Sequence, residues 1–222
     1  SGIYYKTINP KNSDGSRPNT YTCQGKSYAP TIDTASSICG NTITVVDTAD
    51  TSSKQFPYGI RLYGENLTAN DGIVLAGDYS AQNVNVSSNN ITISRGANAI
   101  WLVGTKNINV SQNTVLFNNS AYSTKDNVFG LRIENSTNAT INANTINANH
   151  IPYVQNVIIL DKSKGVNIAG NTLTGAKKHG INLTSSSASI SANTISGNKE
   201  NGIFCYKNST MTTNKNRITG NK

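Results

Sequence analysis

The 222-residue chain has 36% apolar and 14% charged residues, with 19 basic against 11 acidic side chains for a formal charge of +8. That length suits one domain, and the apolar share suffices for a narrow core but is low for a broad globular one. No apolar run is long enough to cross a bilayer. The basic residues are scattered, with no basic run, zinc-ligand spacing or helix-turn-helix pattern, which argues against nucleic acid and leaves an acidic polysaccharide or cell wall glycan as the partner that the charge suggests.

In chain order, residues 1–55 show no repeat. The stretch NPKNSDGSRPN reads as turn and loop and TITVVDT as a strand, so this region is expected to form an amino-terminal cap, with 56–222 as the second unit. No leader-like segment precedes Ser1, as expected of a mature secreted protein. Cys23 and Cys39 flank a polar segment, and a disulfide between them is left open, whereas Cys205 is expected to be buried.

From residue 59 a G-I-x-L beat recurs, as Gly59-Ile60-Arg61-Leu62, Gly72-Ile73-Val74-Leu75, Ala99-Ile100-Trp101-Leu102, Gly130-Leu131-Arg132-Ile133, Val157-Ile158-Ile159-Leu160, Gly180-Ile181-Asn182-Leu183 and Gly202-Ile203-Phe204-Cys205. From Ile73 onward its first apolar residue returns after 27, 31, 27, 23 and 22 residues. A second beat, N-x-I, keeps step at Asn90, Asn113, Asn144, Asn171, Asn193 and Asn216. Repeats of this length are shared by leucine-rich repeats, but these units are β-branched and asparagine-rich, without leucines at fixed offsets. Short strands that cannot stand alone require copies stacked about 4.8 Å above and below. Each recurrent asparagine is expected at a bend, adopting an unusual dihedral and bonding to its counterpart one coil away.

On these G-I-x-L and N-x-I motifs the chain resembles the right-handed parallel β-helix superfamily typified by pectate lyases and alginate epimerases, over roughly residues 59 to 221. The expected fold is all-β, a single-stranded right-handed parallel β-helix with about seven coils of 22–31 residues. The handedness is implied by the resemblance alone.

Outward positions of stacked strands and insertions carry function in such solenoids. The outward x of the first beat runs Arg61, Val74, Trp101, Arg132, Ile159, Asn182, Phe204, and two residues on the row is Tyr63, Ala76, Val103, Glu134, Asp161, Thr184, Tyr206. Glu134 and Asp161 then occupy neighbouring coils, with Arg132 and Lys162 beside them. Two long units insert Phe117 to Val128, with Tyr122, Lys125 and Asp126, and then His150, Pro152 and Tyr153, expected to wall the same face. Trp101 is expected either to stack on a sugar or to be covered by the Phe117 to Val128 insertion. Arg61, Tyr63, Trp101, Lys162 and Tyr206 are the candidate substrate-binding residues.

The resemblance implies a polysaccharide lyase or epimerase. In that chemistry Arg132 or Lys162 neutralises a uronate carboxylate and Lys125, His150 or Tyr153 serves as base or acid, while a hydrolase would use Glu134 and Asp161 as paired acids. Neither the clustered aspartates of polygalacturonases nor the Asp-Pro-His signature of alginate epimerases is present. Two further classes stand beside the enzyme: a non-catalytic glycan-binding or adhesin module, and a structural part of a phage tail or fibre, for which an oligomer is expected. All three place the protein outside or on the surface of a cell, bacterial or phage in origin. Dispersed single glycines exclude a dinucleotide or phosphate-loop fingerprint. No cofactor is evident and no repeating aspartate motif specifies a metal, although the resemblance leaves calcium open.

Overall fold

Strands of two to eight residues make up all the described secondary structure. The computed structural model describes residues 3–7, 21–23, 26–28, 36–45, 58–64, 81–94, 97–118 and 128–222. The chain visits three parallel seven-stranded sheets in turn. The first is built from Ile3–Thr7, Tyr58–Gly64, Asn98–Val103, Val128–Glu134, Val154–Asp161, His179–Thr184 and Ile203–Tyr206. The second runs from Ser36–Cys39 through Val84–Ser87, Asn109–Ser111, Thr140–Asn142, Val166–Ala169 and Ser187–Ser191 to Thr210–Asn214. The third starts at Thr42–Val45 and ends at Arg217–Thr219. A small parallel pair, Ala81–Gln82 with Thr105–Lys106, and an antiparallel pair, Tyr21–Cys23 with Lys26–Tyr28, complete the strands.

Alternation along each short strand sends one set of side chains inward, and stacking aligns those sets into columns. In the first sheet Ile60, Ile100, Leu131, Ile158 and Ile181 form one column, and Leu62, Leu102, Ile133, Leu160 and Leu183 the next, all essentially inaccessible to solvent. Glycine in the first beat meets a steric need. A Cβ on Gly130 would lie 2.6 Å from both Ile146 Cγ2 and the Val157 carbonyl oxygen, because the third sheet turns into the first there.

The corners are held by side-chain ladders. Asn41, Asn89, Asn113, Asn144, Asn171, Asn193 and Asn216 form a column between the second and third sheets. In each step, backbone N–H and side-chain Nδ2 donate to Oδ1 of the asparagine one coil on, as from Asn113 to Asn144 at 3.0 and 2.9 Å. The column enters through Asn89 where the repeat suggested Asn90, which sits exposed in the strand opposite Thr114. Nor do the asparagines themselves bend the chain: the left-handed residue is the one before, at Ser88, Gln112, Ala143, Gly170, Ala192 and Lys215. That residue turns the chain from the second sheet toward the third, and the following amide stacks inward. A second ladder, unread in the sequence, joins Thr105, Ser136, Ser163, Ser186 and Ser209 at the corner between the first and second sheets, each backbone N–H donating to the next hydroxyl at 3.0 to 3.2 Å.

Several expectations shift. Coil stacking reaches into the region before residue 55, because Ile3–Thr7, Ser36–Cys39 and Thr42–Val45 are the first strands of the three sheets. The beat at Gly72–Leu75 lies outside the described residues. Tyr58–Gly64 and Asn98–Val103 pair directly, with Ile60 opposite Ile100, 40 residues on. Cys205 holds the inward register opposite Leu183 yet is exposed, because among the described residues no further coil covers it. Cys39 is a free, exposed thiol 3.1 Å from the Ser87 hydroxyl rather than a disulfide partner.

Candidate functional site

On the outer face of the first sheet the register aligns Arg61, Trp101, Arg132, Ile159, Asn182 and Phe204 in one row, and Tyr63, Val103, Glu134, Asp161, Thr184 and Tyr206 in the next. Both rows match the sequence reading, except for Val74 and Ala76, which lie outside the described residues. Val103 is covered, at 4% exposure.

Rungs about 4.8 Å apart bring flat side chains in one row to stacking distance. The Arg61 guanidinium carbon lies 4.2 Å from the centre of the Trp101 ring and that of Arg132 lies 4.9 Å from it, one from each neighbouring rung. Arg61 also lies over Tyr63 at 5.0 Å and Tyr58 at 5.7 Å. Each contact of this type is worth about 0.5–2 kcal/mol. The indole N–H donates to Glu134 Oε2 at 2.9 Å, while Arg132 Nε donates to Oε1 at 2.6 Å and its Nη2 closes a second contact to the same oxygen. Trp101 therefore neither presents a free face to a sugar nor needs an insertion to cover it, since two guanidinium groups occupy its faces. The middle of that insertion, residues 119–127 with Lys125, lies outside the described residues.

Below this stack is a depression of about 170 Å³ lined by Phe129, Arg132, Glu134, Ile159, Asp161 and Thr184. Strand alternation would send Phe129 inward with Leu131. Phe129 instead lies under the Arg132 guanidinium at 5.4 Å and lines the depression. Ile159 supplies an apolar floor. Glu134 and Asp161 are direct register partners, as expected, but their states differ. Both Glu134 oxygens are committed to Trp101 and Arg132, whereas the Asp161 side chain has no hydrogen bond or ion pair among the described residues.

The remaining candidates are dispersed. Lys162 is exposed in a left-handed conformation at the corner after Asp161 and does not line the depression. His150 sits at the opposite corner, before the eight-residue strand that Asp161 ends, so about 23 Å of extended chain separates them. Its ring instead lies by Gly197 on the side of the third sheet. Tyr153 is 3% exposed within the apolar core and cannot wall a groove. The sequence suggests an overhang for both residues, whereas the inserted chain closes the core at that corner through Ile151 and Tyr153.

At the edge of the depression, on the strand that supplies Thr184 and on the next rung, aromatic rings surface again. His179 stacks on Phe204 with centroids 4.6 Å apart, and Phe204 on Tyr206 at 6.1 Å; Phe204 and Tyr206 are exposed. The ring of His179 is held from the next coil: Nδ1 accepts from the Asn201 backbone N–H at 3.3 Å, and Nε2 lies 3.4 Å from Glu200 Oε2. Burial lowers its pKa, Glu200 partly opposes the shift, and Lys178 reinforces it. Nothing in the sequence distinguished His179, because its role depends on Phe204 and Glu200 one coil on.

Among the described residues no group of three or more histidine, cysteine, aspartate or glutamate side chains could hold a metal, and no helix is long and apolar enough to cross a membrane. No curated protein matches the chain. Among solved structures it is similar to full-length tailspike protein 2 from an Escherichia coli O157:H7 bacteriophage, with 15% identity and a TM-score of 0.45, over 73% of this chain and 25% of that one. It is also similar to the enzymatically active domain of tailspike protein 2 of bacteriophage CBA120, with 12% identity and a TM-score of 0.37, over 82% of this chain and 34% of that one. The chain thus spans about a quarter to a third of these proteins. The family model described as the right handed beta helix region matches residues 71–222, and with the coil stacking seen here the chain belongs to that family.

Proposed function

We propose that the chain is a glycan-binding module of an extracellular or surface-exposed bacterial or phage assembly, with the outer face of the first sheet as its binding surface. The observation that carries this reading is the depression beside the Arg61–Trp101–Arg132 stack. It combines an apolar floor, an unengaged carboxylate and a hydroxyl in a rigid frame, the mixture that a saccharide ring with its C–H face and hydroxyl rim requires. The exposed Phe204 and Tyr206 rings extend the same rows and offer a second stacking surface.

Binding is favoured over proton transfer by the fate of the acid–base candidates. Glu134 is engaged through both oxygens, Tyr153 is in the core and His150 is a strand's length away. The test is a glycan array followed by calorimetry on the hits, with parallel incubations monitored for new reducing ends and for the ultraviolet absorbance of unsaturated uronates. Saturable binding without product formation supports the module. Turnover of any polymer would replace it with an enzyme, and the absence of binding to any glycan would remove it.

A further inference from the structure

Resting on the glycan reading, we propose that the depression selects an uncharged, hydroxyl-rich pyranose and rejects uronates, with Asp161 as the residue that sets this choice. The overall charge of +8 points to anionic ligands, but the local arrangement opposes it. Among the described residues the one cation lining the depression is Arg132, which is already neutralised by Glu134 through two contacts and is held in place by stacking on Trp101 and Phe129. Lys162 is not a lining residue. What remains unbalanced is Asp161, whose carboxylate lines the cavity without a partner among the described residues.

A uronate seated there would meet the unpaired Asp161 carboxylate while the Arg132–Glu134 pair offers it no net charge, and like charges brought together in a half-desolvated site repel. A neutral sugar meets the opposite situation. Vicinal hydroxyls donate to the two Asp161 oxygens in charge-assisted hydrogen bonds, Thr184 completes the rim, and Ile159 with Phe129 covers the C–H face. The surface lysines elsewhere then contribute long-range attraction without determining which sugar is held.

The experiment compares binding of mannan-, glucan- and galactan-derived oligosaccharides with galacturonan- and mannuronan-derived ones of equal length, by calorimetry, in the full chain and in Asp161→Ala and Asp161→Lys. The side chain of Asp161 makes no hydrogen bond or ion pair among the described residues, and the melting temperature of each variant reports whether the fold is retained. Expected is a preference of at least about tenfold for at least one neutral series, equivalent to 1.4 kcal/mol. Asp161→Ala should lose about tenfold on that series, and Asp161→Lys should gain affinity for uronates. Uronates bound as well as or better than every neutral series would overturn the selectivity while leaving the glycan reading intact. Neutral binding that ignores both variants would overturn the role of Asp161. Binding to neither class removes the glycan reading itself.

Discussion

Trp101 and Glu134 are joined across two coils, the indole N–H donating to the carboxylate at 2.9 Å while Arg132 holds the other oxygen. The triad freezes one wall of the depression. Glu134→Gln removes the charge that Arg132 pairs with and one acceptor geometry. It should cost about 1–3 kcal/mol of stability, read as a fall in melting temperature, and should also free a cation at the cavity, raising affinity for anionic glycans. A Gln variant with unchanged melting and unchanged ligand preference would show that the triad is incidental.

The asparagine column should dominate the stability of the corner. In Asn144→Ala, Asn113 loses the acceptor for two donors, and the Val110 carbonyl and Asn171 Oδ1 lose a shared donor, all in buried surroundings. We expect a loss of about 2–4 kcal/mol from groups left unsatisfied. Asn167→Ala, at an exposed outward strand position, should stay within about 0.5 kcal/mol. Chemical denaturation of the two variants side by side provides the comparison.

Acid should weaken the rung that carries Phe204 and Tyr206. Burial holds the folded pKa of His179 below the ordinary 6.5, so the neutral ring is the form the fold prefers, with Nδ1 free to accept from Asn201. The corresponding stability is complete above the unfolded value and is lost as pH falls from there through the lower folded value. Melting curves from neutral to mildly acidic pH should show this decline, and His179→Gln should flatten it. An identical decline in the variant would assign the acid sensitivity elsewhere.

The Cys39 thiol should be alkylated readily. It is exposed, and the hydrogen bond from Ser87 lowers its pKa, against a smaller opposing effect of burial. Peptide mapping after a short iodoacetamide pulse near neutral pH should find Cys39 modified without prior reduction, and Ser87→Ala should slow the reaction. A Cys39 that reacts only after reduction would restore the disulfide.

Much of this architecture could be read from the chain because a solenoid writes its cross-section as a local pattern. Ile60, Leu62 and their counterparts mark the inward columns, and once these are aligned the neighbourhood of Arg132, Glu134 and Asp161 follows from counting. The corner chemistry was less visible. Asn89 and Asn90 are adjacent and chemically identical, and only the left-handed Ser88 decides which of them turns inward. The pairing of Trp101 with two arginines is hidden because its partners lie 40 and 31 residues away, across coils of unequal length. His150 and Tyr153 were misplaced because an insertion looks the same whether it overhangs a face or seals a corner. Burial of Tyr153 is settled by packing against distant coils, which no local pattern records.

The ladders are directional. From each asparagine to the next, the backbone N–H and one side-chain N–H point to the later coil's Oδ1, while the other side-chain N–H returns to a carbonyl of the earlier coil. Any interior coil therefore receives and offers the same bonds as its neighbours, so the chain is editable in whole units. Duplicating or excising one 22- or 23-residue coil leaves the steps of the asparagine ladder unchanged, whereas an insertion of a single residue within a strand would turn its inward column to solvent.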